Sequence, residues 1–323
     1  CLTMAYDAKV NYTDVLGSVK YWDILIYNYL REKNIVIPQK VAHEKAEKFE
    51  GAYVKEPLVG MHKWVMSFDL NSLYPHLIMQ YNISPETLVP SEPVTGLVDK
   101  LLAGKASNPT EHCMTPNGAF FRKDKRGFLP ELMETMYNDR TKYKKLMLQA
   151  SQEYENTKDP KLLKDISKYN NIQMAKKISL NSAYGAIGNN YFRYYDLMIA
   201  SAITTSGQLS IRWIEKSLNI YLNKLLETDN EDYVIASDTD SVYITFDRLV
   251  DKLFGEGTET RKVVNFLDKI ANEKLEPFIE NSYTALAKVT NAYDQKMQMA
   301  REVIADKGIW TAKKRYILNV HDS

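Results

Sequence analysis

The sequence lacks the features of disulfide-linked, zinc-binding and membrane-spanning proteins. Cys1 and Cys113 are its only cysteines, and no Cys/His cluster has the spacing of a zinc site, so neither a disulfide framework nor a structural zinc is expected. No apolar run approaches the ~18 residues of a membrane span, and no signal-peptide pattern opens the chain. A reducing, cytoplasmic compartment is therefore the expectation.

The sequence also lacks an excess of either charge. Lys and Arg number 42 and Asp and Glu number 41, which gives a net charge of +1. Bulk electrostatics therefore does not predict binding to nucleic acid, and any such binding must use local basic patches. The candidate patches are residues 122–126, 140–145, 176–177 and 313–315, and a solvated surface also explains each of them taken alone.

The strongest periodic pattern is a pair of long helices. Good helix formers run from Pro130 to about Asn156, and Asp159-Pro160 supplies the N-cap and first position of a second helix that ends near Tyr184. Two helices of roughly 25 residues make an antiparallel hairpin about 40 Å long. Such a hairpin is too long to be buried at both ends, so we expect it to protrude.

The apolar residues of the remaining predicted elements recur with the spacing of either a helix or a strand. The patterns predict an irregular lead-in over residues 1–60 with a helix near 21–33, and loops with short strands over 84–127. They predict further helices near 75–81, 198–226 and 261–289, and strands at 64–69, within a hairpin at 233–246, and at 299–305 and 310–320.

Two carboxylates lie close together at the tip of the predicted hairpin. Asp238 and Asp240 are separated by one residue in Ser237-Asp238-Thr239-Asp240-Ser241, and alternation along a strand would point both the same way. Two like charges repel unless a cation neutralises them, and oxygen ligands suit Mg²⁺. A solvated turn explains the motif equally simply when it is taken alone.

A stripe of cations is predicted on the two long helices. Lys177, Asn181 and Tyr184 recur at helical spacing on the second helix, and Arg140 and Lys144 do so on the first. Antiparallel packing can bring the three cations into one cleft, where they would fit a polyphosphate. Ordinary surface lysines are the alternative explanation for each of them.

A third acid, Asp69, ends an apolar strand and precedes a turn into a helix. Backbone N–H groups at a helix start are natural phosphate ligands. With Asp238 and Asp240, it makes three acids, enough to hold two Mg²⁺ ions for in-line displacement at phosphorus. Acids for metal, cations for polyphosphate, and an aromatic with an amide for base and sugar together predict nucleotidyl transfer.

Three segments resemble the conserved motifs of family B DNA polymerases. Residues 69–75 resemble motif A (D-x-x-S-L-Y-P), residues 177–185 resemble motif B (K-x-x-x-N-S-x-Y-G), and residues 237–241 resemble motif C, with Ala236-Ser237 in place of the usual Tyr-Gly. Residues 313–316 are similar to a K-K-x-Y element at the primer strand, and residues 49–52 to a Y-x-G-G/A element near the template. The surrounding sequence is most similar to polymerases of T-even-like bacteriophages.

The resemblance implies an α+β fold, a palm with an antiparallel sheet backed by helices and a protruding two-helix fingers hairpin. The implied parts are a lead-in (residues 1–60), two palm segments (61–128 and 188–323) and the fingers (129–187), whose tip is short for the family. The chain opens on Cys1 and stops just after a strand-like run, so we expect a piece of a longer protein. An editing exonuclease would precede it and a thumb would follow.

The resemblance also implies a role for each matched residue. Asp69 and Asp240 would bridge two Mg²⁺ ions, Asp238 would assist, and Glu302 would be a further acid near the metals, or else a surface carboxylate. The implied nucleotide-binding residues are Arg140, Lys144, Lys177, Asn181, Tyr184, Leu70, Ser72, Leu73 and Tyr74. The implied primer–template contacts are Lys313, Lys314, Tyr316, Gly51, Ala52 and Gly185.

The implied activity is DNA-directed DNA polymerisation in the cytoplasm, the host's if the source is viral. The implied partners are primer–template DNA, dNTPs and a sliding clamp that would bind outside this chain. Two alternatives stay open. A two-metal nuclease would need the acids without the cationic stripe, and a non-catalytic fragment would bind nucleic acid and nucleotides without turnover.

Overall fold

The computed structural model describes residues 1–41, 50–255 and 258–323. Its helices are α1 (Leu2–Ala8), α2 (Ser18–Glu32), α3 (Leu73–Gln80), α4 (Leu97–Leu102), α5 (Phe128–Thr157), α6 (Pro160–Ile187), α7 (Leu197–Leu226), α8 (Asp247–Leu253), α9 (Thr260–Ile270) and α10 (Glu276–Val289). Its strands are β1 (Gly60–Leu70), β2 (Leu88–Val89), β3 (Cys113–Met114), β4 (Phe120–Phe121), β5 (Val234–Asp238), β6 (Ser241–Thr245), β7 (Met299–Ala312) and β8 (Arg315–Asp322). The predicted α+β class is confirmed.

The main sheet is antiparallel and has the order β5-β6-β1-β7-β8. The central strand, β1, pairs with β6 on one side and β7 on the other, so strands that are distant in sequence meet at its carboxyl end. A small second sheet has the order β2-β4-β3.

The two faces of the main sheet have different environments. Met66 and Phe68 of β1 are fully buried in the large core that the helices share, which also contains Ile203 and Ile211 of α7. Val65 belongs to a second, smaller cluster with four other buried side chains, Ile235, Ala236, Tyr243 and Trp310. Because side chains alternate along a strand, Asp69 lies on the same face as Val65, away from the helical core.

The two long helices form the predicted hairpin. They contain 30 and 28 residues, and at 1.5 Å per residue they are about 45 and 42 Å long. Between Tyr137 and Ile172 the only buried residue is Ala150, so the distal part of the hairpin protrudes into solvent. The Asp159 side chain caps α6 by accepting a hydrogen bond from the N–H of Lys161 at 2.9 Å.

Some local predictions need correction in detail. The helix expected over 261–289 is present, but a π-helical turn at Ala271–Leu275, two residues before Pro277, interrupts it. Proline has no N–H to donate to the carbonyl oxygen four residues earlier, so one turn of the helix changes from the α-helical to the π-helical hydrogen-bond pattern. The two expected strands at 299–305 and 310–320 are instead β7, which is continuous through residues 306–309, and β8.

Short helices escaped prediction because one or two turns give little periodicity; these are α1, α4 and α8. Helix α3 starts at Leu73, two residues before Pro75, where a start at the proline was expected. None of the helices in the described ranges combines the length and apolar character needed to cross a membrane.

Candidate active site

A cavity of about 640 Å³ opens where the end of β1, the β5–β6 turn and the two long helices meet. It brings together residues from all three sequence motifs and from β7. The lining residues are Asp69, Leu70, Asn71, Ser72, Leu73, Tyr74, Pro75, Arg140, Lys144, Lys177, Asn181, Thr239, Asp240 and Glu302.

Acidic side chains form one wall of the cavity. Asp69 pairs with Ser241 of β6, and the N–H of the next residue, Leu70, donates to the carbonyl oxygen of Asp240 at 2.8 Å. On the other side Asp69 pairs with Ala300, and Glu302 lies two residues further along β7 at an irregularity in the register. Sheet pairing therefore brings to one place three acids from segments more than 60 residues apart.

The acids raise one another's proton affinity. Burial and, to a smaller extent, the negative charges of Asp240 and Glu302 together raise the pKa of Asp69 from 3.8 to about 7, although Lys177 opposes them. The pKa of Asp240 is also raised, mainly by burial and further by Asp238 and Glu302. Because its carboxylates repel one another, this acidic wall also repels anions and attracts a cation.

Asp238 is placed differently from Asp240. It is the last residue of β5, and both of its carboxylate oxygens accept hydrogen bonds from Lys314 Nζ at 2.7 Å. Thr239 and Asp240 form the turn beyond the strand, so strand alternation does not extend to Asp240. As a result Asp240 lines the cavity and Asp238 does not.

Cations line the same cavity, as their helical spacing predicted, and are called here the cationic wall. Arg140 and Lys144 project from α5, and Lys177 projects from α6 together with Asn181. Arg140 Nη1 donates to Ser72 Oγ at 3.2 Å, whereas its buried Nε has no partner among the described residues. Because Ser72 holds the guanidinium at one nitrogen and another N–H donor has no partner, Arg140 has hydrogen-bonding capacity left for an anionic ligand.

The backbone at the start of α3 forms part of the cavity lining. The N–H groups of Leu70 and Asn71 already donate to the carbonyl oxygens of Asp240 and Gln298, at 2.8 and 3.0 Å, so neither is available to a phosphate. Ser72 has a left-handed conformation, with φ of 45°. The N–H groups that remain for an anion are those of Leu73 and Tyr74, which have no partner inside the helix, whereas Pro75 has no N–H.

Two tyrosines pack together at the edge of the cavity. The ring centroids of Tyr74 and Tyr184 are 4.6 Å apart with an interplanar angle of 38°. Tyr74 lines the cavity, while Tyr184 lies behind it. Burial, with a smaller contribution from Tyr184, raises the pKa of Tyr74 to about 12, so its hydroxyl stays protonated at neutral pH.

The residues predicted to contact primer and template lie outside this cavity. Lys313 Nζ is 3.1 Å from Glu56, and Lys314 is engaged by Asp238. Tyr316 stacks on Trp310 at 5.3 Å between centroids and shares a 2.7 Å hydrogen bond with the hydroxyl of Tyr243.

The three small residues of that set, Gly51, Ala52 and Gly185, are exposed, and Gly51 accepts a hydrogen bond from Gln208 Nε2 at 2.7 Å. Phe49, the first residue of the predicted template element, lies outside the described residues.

Sequence reasoning missed other residues at or near the site. Asn71, Pro75 and Thr239 line the cavity and belong to motif segments, so their position within those segments was the available signal. A partly buried ion cluster beside β5 is made by Lys55, Glu215 and Asp232, and it had no sequence signal because its members are far apart along the chain. Within residues 1–41, 50–255 and 258–323, no group of three His, Cys, Asp or Glu side chains has the geometry of a ready-made metal centre.

Comparison with known proteins gives the family of this chain. The model of DNA polymerase family B matches residues 17–287. The DNA-directed DNA polymerases of Escherichia phage RB69 and Enterobacteria phage T4 are 38% and 36% identical, each over 99% of this chain and 41% of its own length. DNA polymerase 1 of Pyrococcus abyssi is 30% identical over 83% of this chain and 30% of its own length.

The chain therefore spans about two fifths of the length of the two phage relatives. The alignment with the RB69 protein extends over 373 positions against the 323 residues of this chain, so that relative carries stretches that this chain lacks.

Proposed function

The chain belongs to DNA polymerase family B, and we propose that it forms the palm and fingers of a DNA-directed DNA polymerase. The proposed reaction is template-directed transfer of dNMP from a dNTP to a primer 3′-hydroxyl. The primer oxygen attacks the α-phosphate, and the bond to pyrophosphate breaks. The observation that carries the proposal is that acidic and cationic side chains line the same cavity.

We infer the same domain boundaries as the motifs predict. Residues 1–60 lead into the palm, residues 61–128 and 188–323 form it, and residues 129–187 form the fingers. The protrusion of α5 and α6 beyond their buried bases supports this division.

The acidic wall fits a divalent cation. Its ligands would be carboxylate oxygens, which suit Mg²⁺. Burial, together with repulsion from Asp240 and Glu302, raises the pKa of Asp69, and a bound cation would stabilise the charged form. Asp69 and Asp240 would hold two Mg²⁺ ions, with Glu302 and Asp238 beside them. When bound, the ions would stabilise negative charge on the attacking and leaving oxygens of the phosphoryl transfer.

The cationic wall would bind the triphosphate. Arg140 can grip it through the side of its guanidinium that Ser72 does not occupy, and Lys144 and Lys177 act as point charges. Because negative charge grows on the departing pyrophosphate, these cations would stabilise the transition state more than the bound substrate.

The nucleoside would lie between Asn181 and the tyrosine pair. Tyr74 cannot retreat, because Tyr184 packs behind it. Its ring would therefore occupy the volume that a 2′-hydroxyl needs and would select deoxyribonucleotides. Leu73 and Ser72 would support the triphosphate from the start of α3, while Leu70 contributes only to the buried lining.

Primer–template DNA would contact the exposed surfaces next to the cavity. These include Lys313, Lys314 and Tyr316 on the β7–β8 hairpin, together with Gly51, Ala52 and Gly185. A sliding clamp would bind through regions beyond these 323 residues, and the site of action would be the host-cell cytoplasm. The phage relatives support the DNA partner and the host setting.

Primer extension tests the proposal directly. A labelled primer–template is incubated with Mg²⁺ and single dNTPs, using this chain and, in parallel, the natural protein with its flanking sequence. Addition of only the templated nucleotide supports the polymerase, and loss of addition in Asp240→Asn is the control. Shortening of the primer would instead indicate a nuclease, and binding without addition by both proteins would indicate a non-catalytic nucleic-acid-binding protein.

A further inference from the structure

The β5–β6 turn that carries Asp240 has an unfavourable backbone conformation. Thr239 has φ of 56°, in the left-handed region that β-branched residues rarely adopt. Such a conformation persists only where the surrounding structure holds it. On the inner side, β1 holds it through the hydrogen bond from the N–H of Leu70 to the carbonyl oxygen of Asp240.

The outer side is held by residues 53–58, called here the edge segment. The N–H of Thr239 donates to the carbonyl oxygen of Tyr53 at 3.0 Å. The N–H groups of Lys55 and Leu58 donate to Ser237 and Ile235 of β5, at 3.0 and 2.9 Å. The edge segment thus continues the sheet beyond β5, although only Val54 and Asp238 form a regular bridge.

The side chain of Lys55 fastens the edge segment to the protein. Its Nζ lies 2.8 Å from Glu215 of α7 and 2.7 and 2.9 Å from the two carboxylate oxygens of Asp232, and it donates to the carbonyl oxygen of Val234 at 2.7 Å. Only 12% of the Lys55 side chain is exposed. Burial opposes its charged form, but Asp232 and Glu215 outweigh burial and raise the pKa of Lys55, so the charge is kept.

The ion cluster reaches the catalytic turn by a second route. Ser237, which is buried and precedes Asp238, donates from its Oγ to Glu215 Oε2 at 3.4 Å. Asp232 also accepts a hydrogen bond from Asn219 Nδ2 at 2.8 Å, and the Asn219 amide oxygen accepts the N–H groups of Tyr233 and Val234 at the start of β5. Every acceptor of the Lys55 ammonium is therefore tied to β5 or to the helix behind it.

We propose that Lys55 is a positioning residue for nucleotidyl transfer, because it clamps the edge segment against β5 and so fixes the orientation of Asp238 and Asp240. The inference rests on the proposed polymerase function. Without the ion pairs of Lys55, only backbone hydrogen bonds hold the edge segment to β5. The outer support of the Thr239 conformation is then weaker, and the two acids lose their fixed relation to Asp69. A displacement of about 1 Å in such a group can lower a reaction rate by about 100-fold.

The test compares Lys55→Met with Lys296→Met in the full-length natural protein. Lys296 is a matched control, since its Nζ also pairs with two carboxylates, Glu134 at 3.0 Å and Asp294 at 2.9 Å, and 25% of its side chain is exposed. Both variants are expected to lower the Tm. Only Lys55→Met is expected to lower the maximal rate of single-nucleotide addition, by at least about tenfold, with KM for the dNTP within about threefold of the wild type.

Hydrogen exchange provides a readout that does not need catalysis. The amides of Thr239 and Leu70 are expected to exchange faster in Lys55→Met than in the wild type, and to be unchanged in Lys296→Met. Unchanged exchange at Thr239 would overturn the proposal, as would a maximal rate equal to that of the control. If the wild type adds no nucleotide but the exchange result holds, the polymerase function fails while the clamp stands.

A second variant covers the case in which Lys55→Met does not fold. Glu215→Gln removes one of the two acidic partners and leaves Asp232 in place. We expect its maximal rate to fall, but by less than in Lys55→Met, while its KM for the dNTP stays close to that of the wild type. We also expect the amide of Thr239 to exchange faster than in the wild type. An unchanged maximal rate and unchanged exchange in Glu215→Gln would also overturn the proposal.

Discussion

Replacing Asp69 by asparagine should separate the stability of the site from its activity. Asp69→Asn keeps the size of the side chain and removes a charge that repels Asp240 and Glu302. No donor among the described residues hydrogen-bonds the Asp69 carboxylate, so the substitution breaks no such bond. We therefore expect the metal-free variant to be more stable than the wild type at alkaline pH and to be inactive.

The pKa of Asp69 gives the size and the pH range of this effect. It is raised from 3.8 to about 7 in the folded protein. At about 1.4 kcal/mol for each tenfold change in proton affinity, this corresponds to an upper limit of about 4 kcal/mol. The side chain is only half-buried, so solvent screening reduces the expected gain to about 1–2 kcal/mol, or a few degrees in Tm.

The direction in which stability changes with pH follows from proton binding to Asp69 in the folded and unfolded states. Between pH 3.8 and about 7 the folded wild type keeps the proton that the unfolded chain has lost. Wild-type stability therefore falls as the pH rises through this range and levels off above it. The asparagine variant lacks this fall, so its advantage should be absent near pH 4 and full by pH 8.

Thermal melts in EDTA between pH 4 and 8 measure this difference. Added Mg²⁺ should then raise the Tm of the wild type more than that of the variant, because a ligand of the folded state stabilises it by mass action. Equal melting temperatures for the two proteins at pH 8 would refute the repulsion argument. More than a few per cent of residual nucleotide addition by the variant would refute the assignment of Asp69 to the metals.

Three further predictions concern the cations and the tyrosine. Arg140→Ala and Lys177→Ala should each lower the efficiency of dNTP use by about 10- to 100-fold, equally for all four bases, because charged hydrogen bonds to phosphate are lost; single-turnover kinetics measures this. Tyr74→Ala should raise the ratio of rNTP to dNTP addition and lower stability by about 2 kcal/mol, since a half-buried ring is removed. Lys314→Ala should weaken primer–template binding and reduce the number of counterions released on binding by about one. The slope of the logarithm of the binding constant against the logarithm of the salt concentration measures this number.

Matched variants control these three predictions. Lys142 lies on α5 between Arg140 and Lys144 but outside the cavity, over the ring of Tyr143, so Lys142→Ala should leave dNTP use unchanged. An effect that differed among the four bases would contradict the triphosphate role. Tyr74→Phe keeps the ring and should keep the sugar preference, and an unchanged ratio in Tyr74→Ala would refute the gate. An unaltered salt slope in Lys314→Ala would show that this lysine does not contact phosphate.

Helical periodicity correctly anticipated the cationic wall. The spacing of Arg140 with Lys144, and of Lys177 with Asn181, put each pair on one face of its helix, and a short connection forced the helices to pack antiparallel. These relations depend on the geometry of 3.6 residues per turn, which acts between neighbours in sequence. The α+β class came from the resemblance to family B DNA polymerases, and the structure confirms it.

The sequence alone did not fix the arrangement of the acids. Asp238 and Asp240 are two residues apart, yet one is paired with Lys314 and the other lines the cavity, because the strand ends between them. Glu302 reaches the acids only through the register of β7 against β1. Tyr184 lies behind Tyr74 rather than in the cavity, as the contact of α3 with α6 determines.

The sequence by itself determined the long helices, the main strands, the family motifs and the types of side chain that the site contains. Those properties arise from local sterics, capping and side-chain type, which act over a few residues. Only the tertiary structure decided which carboxylates meet, which N–H groups stay unpaired at the cavity and which acids surround Lys55. Each of these depends on sheet register and packing between segments far apart along the chain, such as those of Asp69 and Glu302, and no local pattern encodes those contacts.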